Sequence, residues 1–258
     1  MEKIKVSIIT TTSNSEGTIA RTVESVLVQN YSPLEYIIVD NQSSDNTISI
    51  IETCRSKFRN GLSLQLISEP DRGIYDGMNK GLKNAGGELI GIINSDDWYE
   101  PNAVRNVVDA HAVNPEAVIY GMLKLYKNDK LYQIRQNMHT FIRENMCQHP
   151  TWFVPKKIYQ QYGLFDDSYQ IGGDYEFANR LLSQGVSFTR LEKVLANFTM
   201  GGASSRSPIG GQEWLDIKLK YGHISKEEYD KATPGFVDST NARYHFKMFI
   251  KKLLQFQI

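Results

Sequence analysis

The sequence predicts an α/β fold in which helices cover a mainly parallel sheet. Short apolar runs rich in β-branched residues recur at 6–10, 36–39, 64–67, 89–93 and 118–120. Between the first two runs, Ile19, Val23, Val26 and Leu27 recur at helical spacing, which predicts an amphipathic helix. This alternation is typical of βαβ units, whose parallel strands are joined by right-handed crossovers.

Composition narrows the class of protein. A chain of 258 residues with 41% hydrophobic content can bury the core of one large domain or of two fused lobes. The 29 Lys and Arg residues balance 29 Asp and Glu residues, so no overall basic field is present to bind nucleic acid. Cys54 and Cys147 match neither a disulfide framework nor a Cys-rich zinc site. We expect a cytoplasmic protein without a signal peptide or membrane span.

Proline and glycine mark helix boundaries between about residues 100 and 185. Pro101 suits the start of one helix, and Pro155 suits the start of another that ends near Gly163. A further helix is predicted over about 174–184, ending at Gly185.

The chain divides into three predicted parts with a soft boundary near residue 115. Residues 1–115 form a nucleotide-binding half, 116–205 an acceptor-binding and catalytic half, and 206–258 a C-terminal helical extension. No internal repeat or low-complexity linker separates them, so we expect the halves to pack together.

Polar residues follow three of the predicted strands. The first strand leads into TTTSN at 10–14, the second into DNQSSD at 40–45, and the fourth into NSDD at 94–97. Ligands of open parallel sheets bind beyond the carboxyl ends of the strands. We therefore expect one polar crevice at that edge.

The adjacent carboxylates of Asp96 and Asp97 have two interpretations. Asp residues favour turns because their side chains bond to nearby backbone. Two neighbouring carboxylates after a buried strand also repel each other unless a cation or strong donors compensate. Mn²⁺ or Mg²⁺ would suit this position, since hard cations prefer carboxylate and phosphate oxygens.

Ordered motifs carry a resemblance to a known family. They are VSIITT at 6–11, IIVDN at 37–41, EPDRGIYDGMNKG at 69–81, NSDD at 94–97, GLFD at 163–166 and GGDYEF at 172–177. In order and spacing they resemble family 2 glycosyltransferases over about residues 4–200. The resemblance implies the GT-A fold, with a Rossmann-like sheet, and an inverting transfer from a nucleotide-sugar donor.

The resemblance also implies roles for carboxylates. Asp97 matches the direct metal ligand, and Asp96 a residue shared between the metal and the donor. Asp174 matches the general base, although Asp at this place is also a common helix N-cap. Glu176 ranks second as base, because it would point elsewhere on the same helix.

Donor contacts follow from the matching positions. Asp40 is expected beside the uracil of a UDP-sugar, and Thr11 and Ser13 around the nucleoside. Many relatives carry an aromatic residue where Ser13 stands, so base stacking would have to come from elsewhere.

Further candidates on the donor side lie in the EPDRGIYDGMNKG segment. Asp71, Arg72 and Asn79 are expected near the base or diphosphate. A surface ion pair is an equally good interpretation of Arg72.

Two residues have open roles on the acceptor side. His149 lies in a segment that relatives also mark with a histidine, and it either lines the acceptor site, approaches the metal or packs in a loop. Trp98 either stacks on a sugar face or fills the core.

The C-terminal segment 243–258 carries a basic amphipathic pattern. Such a helix rests on an anionic membrane surface, on the main body or on a second subunit of a homodimer, and the pattern does not separate these hypotheses. The Gly- and Ser-rich stretch 201–205 suggests a loop that closes over the donor.

The leading functional hypothesis is transfer from a UDP-sugar to a hydroxyl of a glycan acceptor. By resemblance, the acceptor is a lipid-linked glycan of bacterial surface-polysaccharide synthesis. The expected location is the cytoplasm, at the inner face of the plasma membrane if the segment 243–258 rests on the membrane. One alternative is a sugar-nucleotide nucleotidyltransferase, although TTSNS at 11–15 lacks its Gly-rich phosphate loop. A non-catalytic nucleotide- or glycan-binding partner is another.

Overall fold

The computed structural model describes residues 3–58, 61–201 and 209–233. Its strands are β1 (Val6–Thr12), β2 (Leu34–Asp40), β3 (Leu62–Ser68), β4 (Leu89–Ile92), β5 (Trp98–Tyr99), β6 (Val118–Lys127), β7 (Lys130–Arg135), β8 (Phe153–Pro155) and β9 (Phe188–Thr199). Its helices are α1 (Ile19–Leu27), α2 (Thr47–Arg55), α3 (Ile74–Asn84), α4 (Ala103–Val113), α5 (Lys156–Tyr162), α6 (Gly173–Ser183), α7 (Ile209–Lys220) and α8 (Lys226–Ala232). Short 3-10 helices lie at His139–Phe141 and His149–Thr151.

One sheet runs through the part of the chain that the structure describes. Its order is β3-β2-β1-β4-β8-β6-β9-β5, with β7 paired to β6. The first four strands are parallel. Strand β8 is antiparallel to β4 and β6, and β9 is parallel to β6 but antiparallel to β5. The predicted α/β fold is confirmed, and the sheet becomes mixed in its second half.

The register of the parallel strands brings three exits to one edge. Thr12 at the end of β1 lies opposite Asp40 at the end of β2. Ile92 at the end of β4 lies opposite Ile9 of β1. The segments that follow β1, β2 and β4 therefore leave the sheet side by side.

Two apolar layers cover the two faces of the sheet. Alternate side chains of β1 point to opposite faces, so Ile8 packs in one cluster with Val23 of α1, and Ile9 in the other with Met78 of α3. Every residue of β1 and β2 is buried, whereas β3 alternates between half-buried and exposed residues. Burial on both faces explains why the first two strands are continuous apolar runs.

The helices predicted from proline and glycine are present. The helix predicted at Pro101 is α4, the one predicted at Pro155 is α5, and the one predicted over 174–184 is α6. The division near residue 115 stays a prediction, and the two halves share the sheet through the pairing of β4 with β8.

Two sequence expectations concern the C-terminal region. The amphipathic segment 243–258 lies outside the described residues, as does all but the first residue of the predicted loop at 201–205. None of the described helices combines the length and the apolar character needed to cross a membrane.

A substitution at Gly91 of β4 can test how tightly the sheet packs around this strand. A Cβ at this position would lie 2.7 Å from a ring carbon of Phe153 and 2.8 Å from the Tyr99 hydroxyl, and both neighbours are buried. We expect Gly91→Ala to lower the free energy of unfolding by about 1–3 kcal/mol through overpacking. Urea denaturation measures this.

The control for this substitution is Gly17→Ala. A Cβ at Gly17 would have no neighbour within 4 Å. Its effect should stay within about 0.5 kcal/mol. Equal effects of the two substitutions would contradict the described packing of β4.

Candidate active site

A cleft of about 810 Å³ opens where the parallel strands end. Its lining combines residues after β1 and β4, such as Ser13 and Asp96, with Tyr75 of α3 and Asp174 of α6. These residues are distant in sequence and meet because the strand exits share one edge. The cleft lies where the sequence predicts a polar crevice.

Hydrogen bonds join the strand exits to one another. Ser15 Oγ lies 2.8 Å from Ser95 Oγ, which links the exits of β1 and β4. The side-chain oxygen of Asn14 accepts the N–H of Ser44 at 2.9 Å, which links β1 to β2. Asn14 has a φ of 47°, a conformation that Asn adopts more readily than most residues. The sequence places Asn14 and Ser15 in the first exit but does not predict these pairings.

The two carboxylates predicted to bind metal differ in exposure. Asp96 lines the cleft, and burial raises its pKa. Asp97 is fully buried, and one of its oxygens accepts the N–H of Thr199 at 3.0 Å. Its other oxygen has no hydrogen-bond partner among the described residues. Burial first, and then the adjacent Asp96, raises the pKa of Asp97 well above its usual range.

Thr199 and Arg21 support this pair from distant parts of the chain. The Thr199 hydroxyl donates to the carbonyl of Asp96 at 2.7 Å and accepts from Arg21 at 3.1 Å. The positive charge of Arg21 opposes the rise in the pKa of both carboxylates. The sequence does not point to either residue, because Thr199 reaches the site through the pairing of β9 with β5 and β6.

Asp174, the predicted base, lies in the first turn of α6 and lines the cleft. One carboxylate oxygen accepts the N–H of Tyr175 at 2.8 Å and lies 3.2 Å from the Tyr75 hydroxyl. Burial raises its pKa to about 6. A carboxylate with this pKa is largely ionised at neutral pH and binds a proton more readily than an ordinary Asp.

Glu176, the second candidate base, is buried and hydrogen-bonded to other side chains of the protein. Its carboxylate accepts from Arg180, Lys220 and Tyr221, each at about 3 Å. These donors outweigh burial and lower its pKa. Only Asp174 of the two lines the cleft, as the helical spacing predicts.

Two predicted donor contacts are buried and bonded internally. Asp40 is fully buried, and its carboxylate accepts from Ser43 and Ser68. The side chain of Asn79 bonds in both directions with the backbone of Phe165, at 2.9 and 3.1 Å. Neither Asp40 nor Asn79 lines the described cleft, and their predicted contacts with the donor stay predictions.

Of the other residues predicted to contact the donor, three line the cleft and one forms ion pairs at the surface. Thr11, Ser13 and Asp71 line the cleft. Asp71 is held by the side chain of Asn41, which accepts its N–H at 2.9 Å, and burial raises its pKa. The exposed Arg72 pairs with Asp76 and Asp167, which matches the ion-pair interpretation.

His149 also lines the cleft and is almost fully buried. Its ring packs edge-on against Trp152 and Phe165, with centroids 5.1 and 5.7 Å away. Burial lowers its pKa to about 4, so the imidazole is neutral at physiological pH. This packing matches the interpretation of a loop histidine.

Trp98 is covered by protein groups. The Arg21 guanidinium lies 3.7 Å from the ring centroid, and Tyr126 packs 4.9 Å away. The ring thus has a cation–π partner within the chain. Its predicted role as a platform for a sugar remains a prediction.

The fit of a divalent cation rests on Asp96 and Asp97. In the described part of the chain, no three His, Cys, Asp or Glu side chains cluster as metal ligands. Hard cations nevertheless often use one or two protein carboxylates and take other ligands from substrate phosphates. A buried carboxylate oxygen without a donor, as in Asp97, is costly unless something compensates it. The residues present therefore suit a cation that binds together with a diphosphate.

Comparison with known proteins identifies the class of protein that this fold and cleft define. The family model for glycosyl transferase family 2 matches residues 7–174. The chain belongs to this family and is a glycosyltransferase. The match begins in β1 and ends at Asp174, so it spans the strand exits and the candidate base.

Individual relatives give the same class. An uncharacterized glycosyltransferase of Mycobacterium tuberculosis is 30% identical over 213 residues, covering 79% of this chain and 78% of the relative. The Escherichia coli UDP-Glc:alpha-D-GlcNAc-diphosphoundecaprenol beta-1,3-glucosyltransferase WfgD is 30% identical over 132 residues, covering 51% of this chain and 50% of WfgD.

Solved structures share the fold. Residues 1–349 of Staphylococcus aureus TarS, in complex with UDP-GlcNAc, align with a TM-score of 0.69 at 19% identity, covering 88% of this chain and 70% of that chain. The mannosyltransferase PcManGT of Pyrobaculum calidifontis, in complex with GDP-Man and Mn²⁺, aligns with a TM-score of 0.67 at 18% identity, covering 87% and 66%. The predicted GT-A fold is confirmed by these likenesses.

Tyr75 provides a test of the surroundings of Asp174. Its hydroxyl lowers the pKa of Asp174 by hydrogen bonding, while burial raises it. We expect Tyr75→Phe to raise the Asp174 pKa above about 6 and to cost about 1 kcal/mol of stability, because the Ile171 carbonyl also loses its donor. Carboxyl ¹³C NMR of aspartate-labelled protein measures the pKa.

The Asp174 resonance in that experiment is the one missing from Asp174→Asn protein. Tyr132→Phe is the control, because Tyr132 is 62% exposed. An unchanged Asp174 pKa in Tyr75→Phe protein would contradict the described hydrogen bond.

Proposed function

We propose that the chain is an inverting glycosyltransferase that moves a sugar from a UDP-sugar to a hydroxyl of a lipid-linked glycan acceptor. The observation that carries the proposal is the presence of two separate acidic groups at one cleft. Asp96, which follows β4, and Asp174, in the first turn of α6, line the cleft, and Asp97 is buried next to Asp96 in the chain. Transfer with inversion needs a site for the departing diphosphate and a base for the attacking hydroxyl, and these groups suit the two tasks.

The donor is assigned to the edge of the sheet where the parallel strands end. Thr11 and Ser13 at the end of β1 and Asp71 after β3 line the cleft and offer hydroxyl and carboxylate groups to a nucleoside. Support for a UDP-sugar comes from TarS, which was solved with UDP-GlcNAc, and from the name of WfgD, which specifies UDP-Glc. Asp40 is buried, and its oxygens accept hydrogen bonds from Ser43 and Ser68. Asp40 would therefore have to give up one of these hydrogen bonds to accept one from uracil.

Asp97 and Asp96 would hold a divalent cation, Mn²⁺ or Mg²⁺, with Asp97 as the direct ligand. The cation would neutralise charge on the departing diphosphate as a Lewis acid. The mannosyltransferase solved with Mn²⁺ supports this choice of group. Thr199 would keep one oxygen of Asp97 fixed, which leaves the unpartnered oxygen for the ligand role.

Asp174 would remove the proton from the acceptor hydroxyl. Its pKa of about 6 is close to the pH of the cytoplasm. A base with such a pKa is largely ionised there and can still accept a proton. The attacking oxygen would approach the anomeric carbon on the face opposite the leaving UDP. His149 stays neutral and does not compete for that proton in the described packing.

The acceptor class is proposed from relatives. WfgD is named for a diphosphoundecaprenol acceptor, and a Mycobacterium bovis relative is named a PGL/p-HBAD biosynthesis glycosyltransferase. We infer a lipid-linked acceptor of bacterial surface-glycan synthesis, used at the inner face of the plasma membrane. A soluble diphosphate analogue of such an acceptor is therefore a suitable probe.

The direct test is nucleoside diphosphate release from a panel of nucleotide sugars with Mn²⁺ and lipid-diphosphate sugar acceptors. We expect acceptor-dependent UDP release from at least one UDP-sugar, and we expect EDTA to abolish it.

Asp97→Ala should lose Mn²⁺-dependent donor binding, because the buried ligand is removed. Calorimetry with UDP and Mn²⁺ measures this binding. Asp109→Asn, an exposed carboxylate of α4, is the control. Release from GDP- or dTDP-sugars alone would contradict the UDP assignment.

The base assignment predicts a separation of binding from transfer. Asp174→Asn should keep donor binding and lose transfer by about a hundredfold or more, because the amide cannot accept the proton. In the wild type, transfer should fall as pH drops through about 6, when Asp174 becomes protonated. Steady-state rates from pH 4.5 to 8 measure both effects. Normal turnover by Asp174→Asn protein would remove the assignment.

A further inference from the structure

Helix α7 supplies a carboxylate to the loop that precedes Asp174. Glu213 of α7 is only 9% exposed. Its Oε1 accepts the backbone N–H of Gln170 at 2.7 Å, and its Oε2 accepts those of Ile171 and Gly172 at 2.8 and 2.7 Å. Helix α7 begins at Ile209, which is 35 residues after Asp174, the last residue of the matched family segment.

This contact completes the start of α6. The N-cap residue of α6 is Gly172, which has no side chain to cap the helix. The first N–H groups of a helix lack internal partners and attract negative charge. Glu213 accepts the N–H of the N-cap residue Gly172 and those of the two residues before it, and its charge lies at the N-terminal end of α6. Such charge-assisted hydrogen bonds are stronger than neutral ones.

The loop is also fixed from its other side. A Cβ at Gly173 would lie 2.8 Å from the ring of Tyr75, and the Tyr75 hydroxyl donates to the carbonyl of Ile171. A Cβ at Gly172 would lie 2.9 Å from Ile217 of α7. The segment is therefore enclosed between α3 and α7, with room only for glycine at two positions.

The cleft depends on the same segment. Gln170, Ile171 and Asp174 all line it. Glu213 holds the backbone of Gln170 and Ile171 directly, and that of Gly172, which lies two residues before Asp174. A shift of this loop would therefore move Gln170 and Ile171 together and displace the start of α6. A second carboxylate, that of Glu176, joins α6 to Lys220 at the far end of α7 and to Tyr221.

We propose that Glu213 is a positioning residue for glycosyl transfer, which fixes the loop at 170–172 so that Asp174 faces the acceptor. The inference rests on the proposed function, with Asp174 as base. It assigns a role in the active site to the C-terminal helix α7, outside the matched family segment.

Electrostatics provides a second readout, which reports that the charge of Glu213 lies close to Asp174. Burial is the main cause of the raised pKa of Asp174, and the negative charge of Glu213 adds to it. Removing that charge should lower the pKa of Asp174. The acidic limb of the rate profile should then move to lower pH.

The test compares Glu213→Gln with wild-type full-length protein. Gln keeps the size but places an NH₂ group against backbone N–H donors. We expect kcat to fall about 10- to 100-fold, as for misplaced catalytic groups, with the KM for the UDP-sugar changed less than about twofold. The acidic limb should move to lower pH, and Glu213→Asp should recover part of kcat.

Asp216→Asn is the matched control. Asp216 lies on the same helix and accepts from Gln212 and Tyr229, away from the loop. This variant should keep the kcat and pH profile of the wild type. Thermal unfolding of all variants checks that each is folded at the assay temperature.

Hydrogen exchange tests the contact without any activity. Mass spectrometry of peptides covering 168–174 should show faster amide exchange in Glu213→Gln protein than in the wild type or Asp216→Asn protein. Unchanged exchange, or an unchanged kcat and pH limb while Asp174→Asn is inactive, would overturn the role of Glu213. Full activity of Asp174→Asn would instead overturn the base assignment on which it rests.

Discussion

Strand β1 lies between β2 and β4 in parallel register, and each part of the candidate site depends on that pairing. The pairs Thr12 with Asp40 and Ile9 with Ile92 bring three strand exits to one edge. Helices on both faces bury these strands completely, so the polar residues that follow them are the first that can meet a ligand. The bonds of Ser15 with Ser95 and of Asn14 with Ser44 then hold the exits together.

Carboxylates around this edge fall into two groups according to their partners. Asp40, Glu176 and Glu213 are buried, and each accepts at least three hydrogen bonds from the protein. Asp97 and Asp174 accept fewer hydrogen bonds from the protein, and burial raises the pKa of both. Perturbed carboxylates beside a cleft are candidates for function. Carboxylates with several donors instead join parts of the structure to one another, as Glu213 joins α7 to the backbone before α6.

Much of the fold was predictable because its periodicity is local. The runs of β1, β2 and β4 and the helices α4, α5 and α6 follow from apolar spacing, proline and glycine. Strands β5 and β8, with two and three residues, are too short to produce such a pattern. The mixed second half of the sheet therefore could not be predicted.

The site was predictable to the extent that its residues lie in motifs. Asp96, Asp174, Thr11, Ser13, Asp71 and His149 do line the cleft. Thr199, Arg21 and Glu213 were not predicted, because they reach the site through tertiary packing from outside those motifs. Nor does the sequence show that Asp40 and Asn79 bond internally, since burial depends on neighbours distant in the chain.

The proposed mechanism depends on Asp97 and Asp96 holding a cation together with the donor diphosphate. Crystals soaked in Mn²⁺ and UDP, measured at the manganese absorption edge, test this most directly. We expect one anomalous peak beside the unpartnered oxygen of Asp97, bridged to the diphosphate, with the nucleoside along Thr11 and Ser13. A peak at any other site, or UDP bound away from the strand exits, would contradict it.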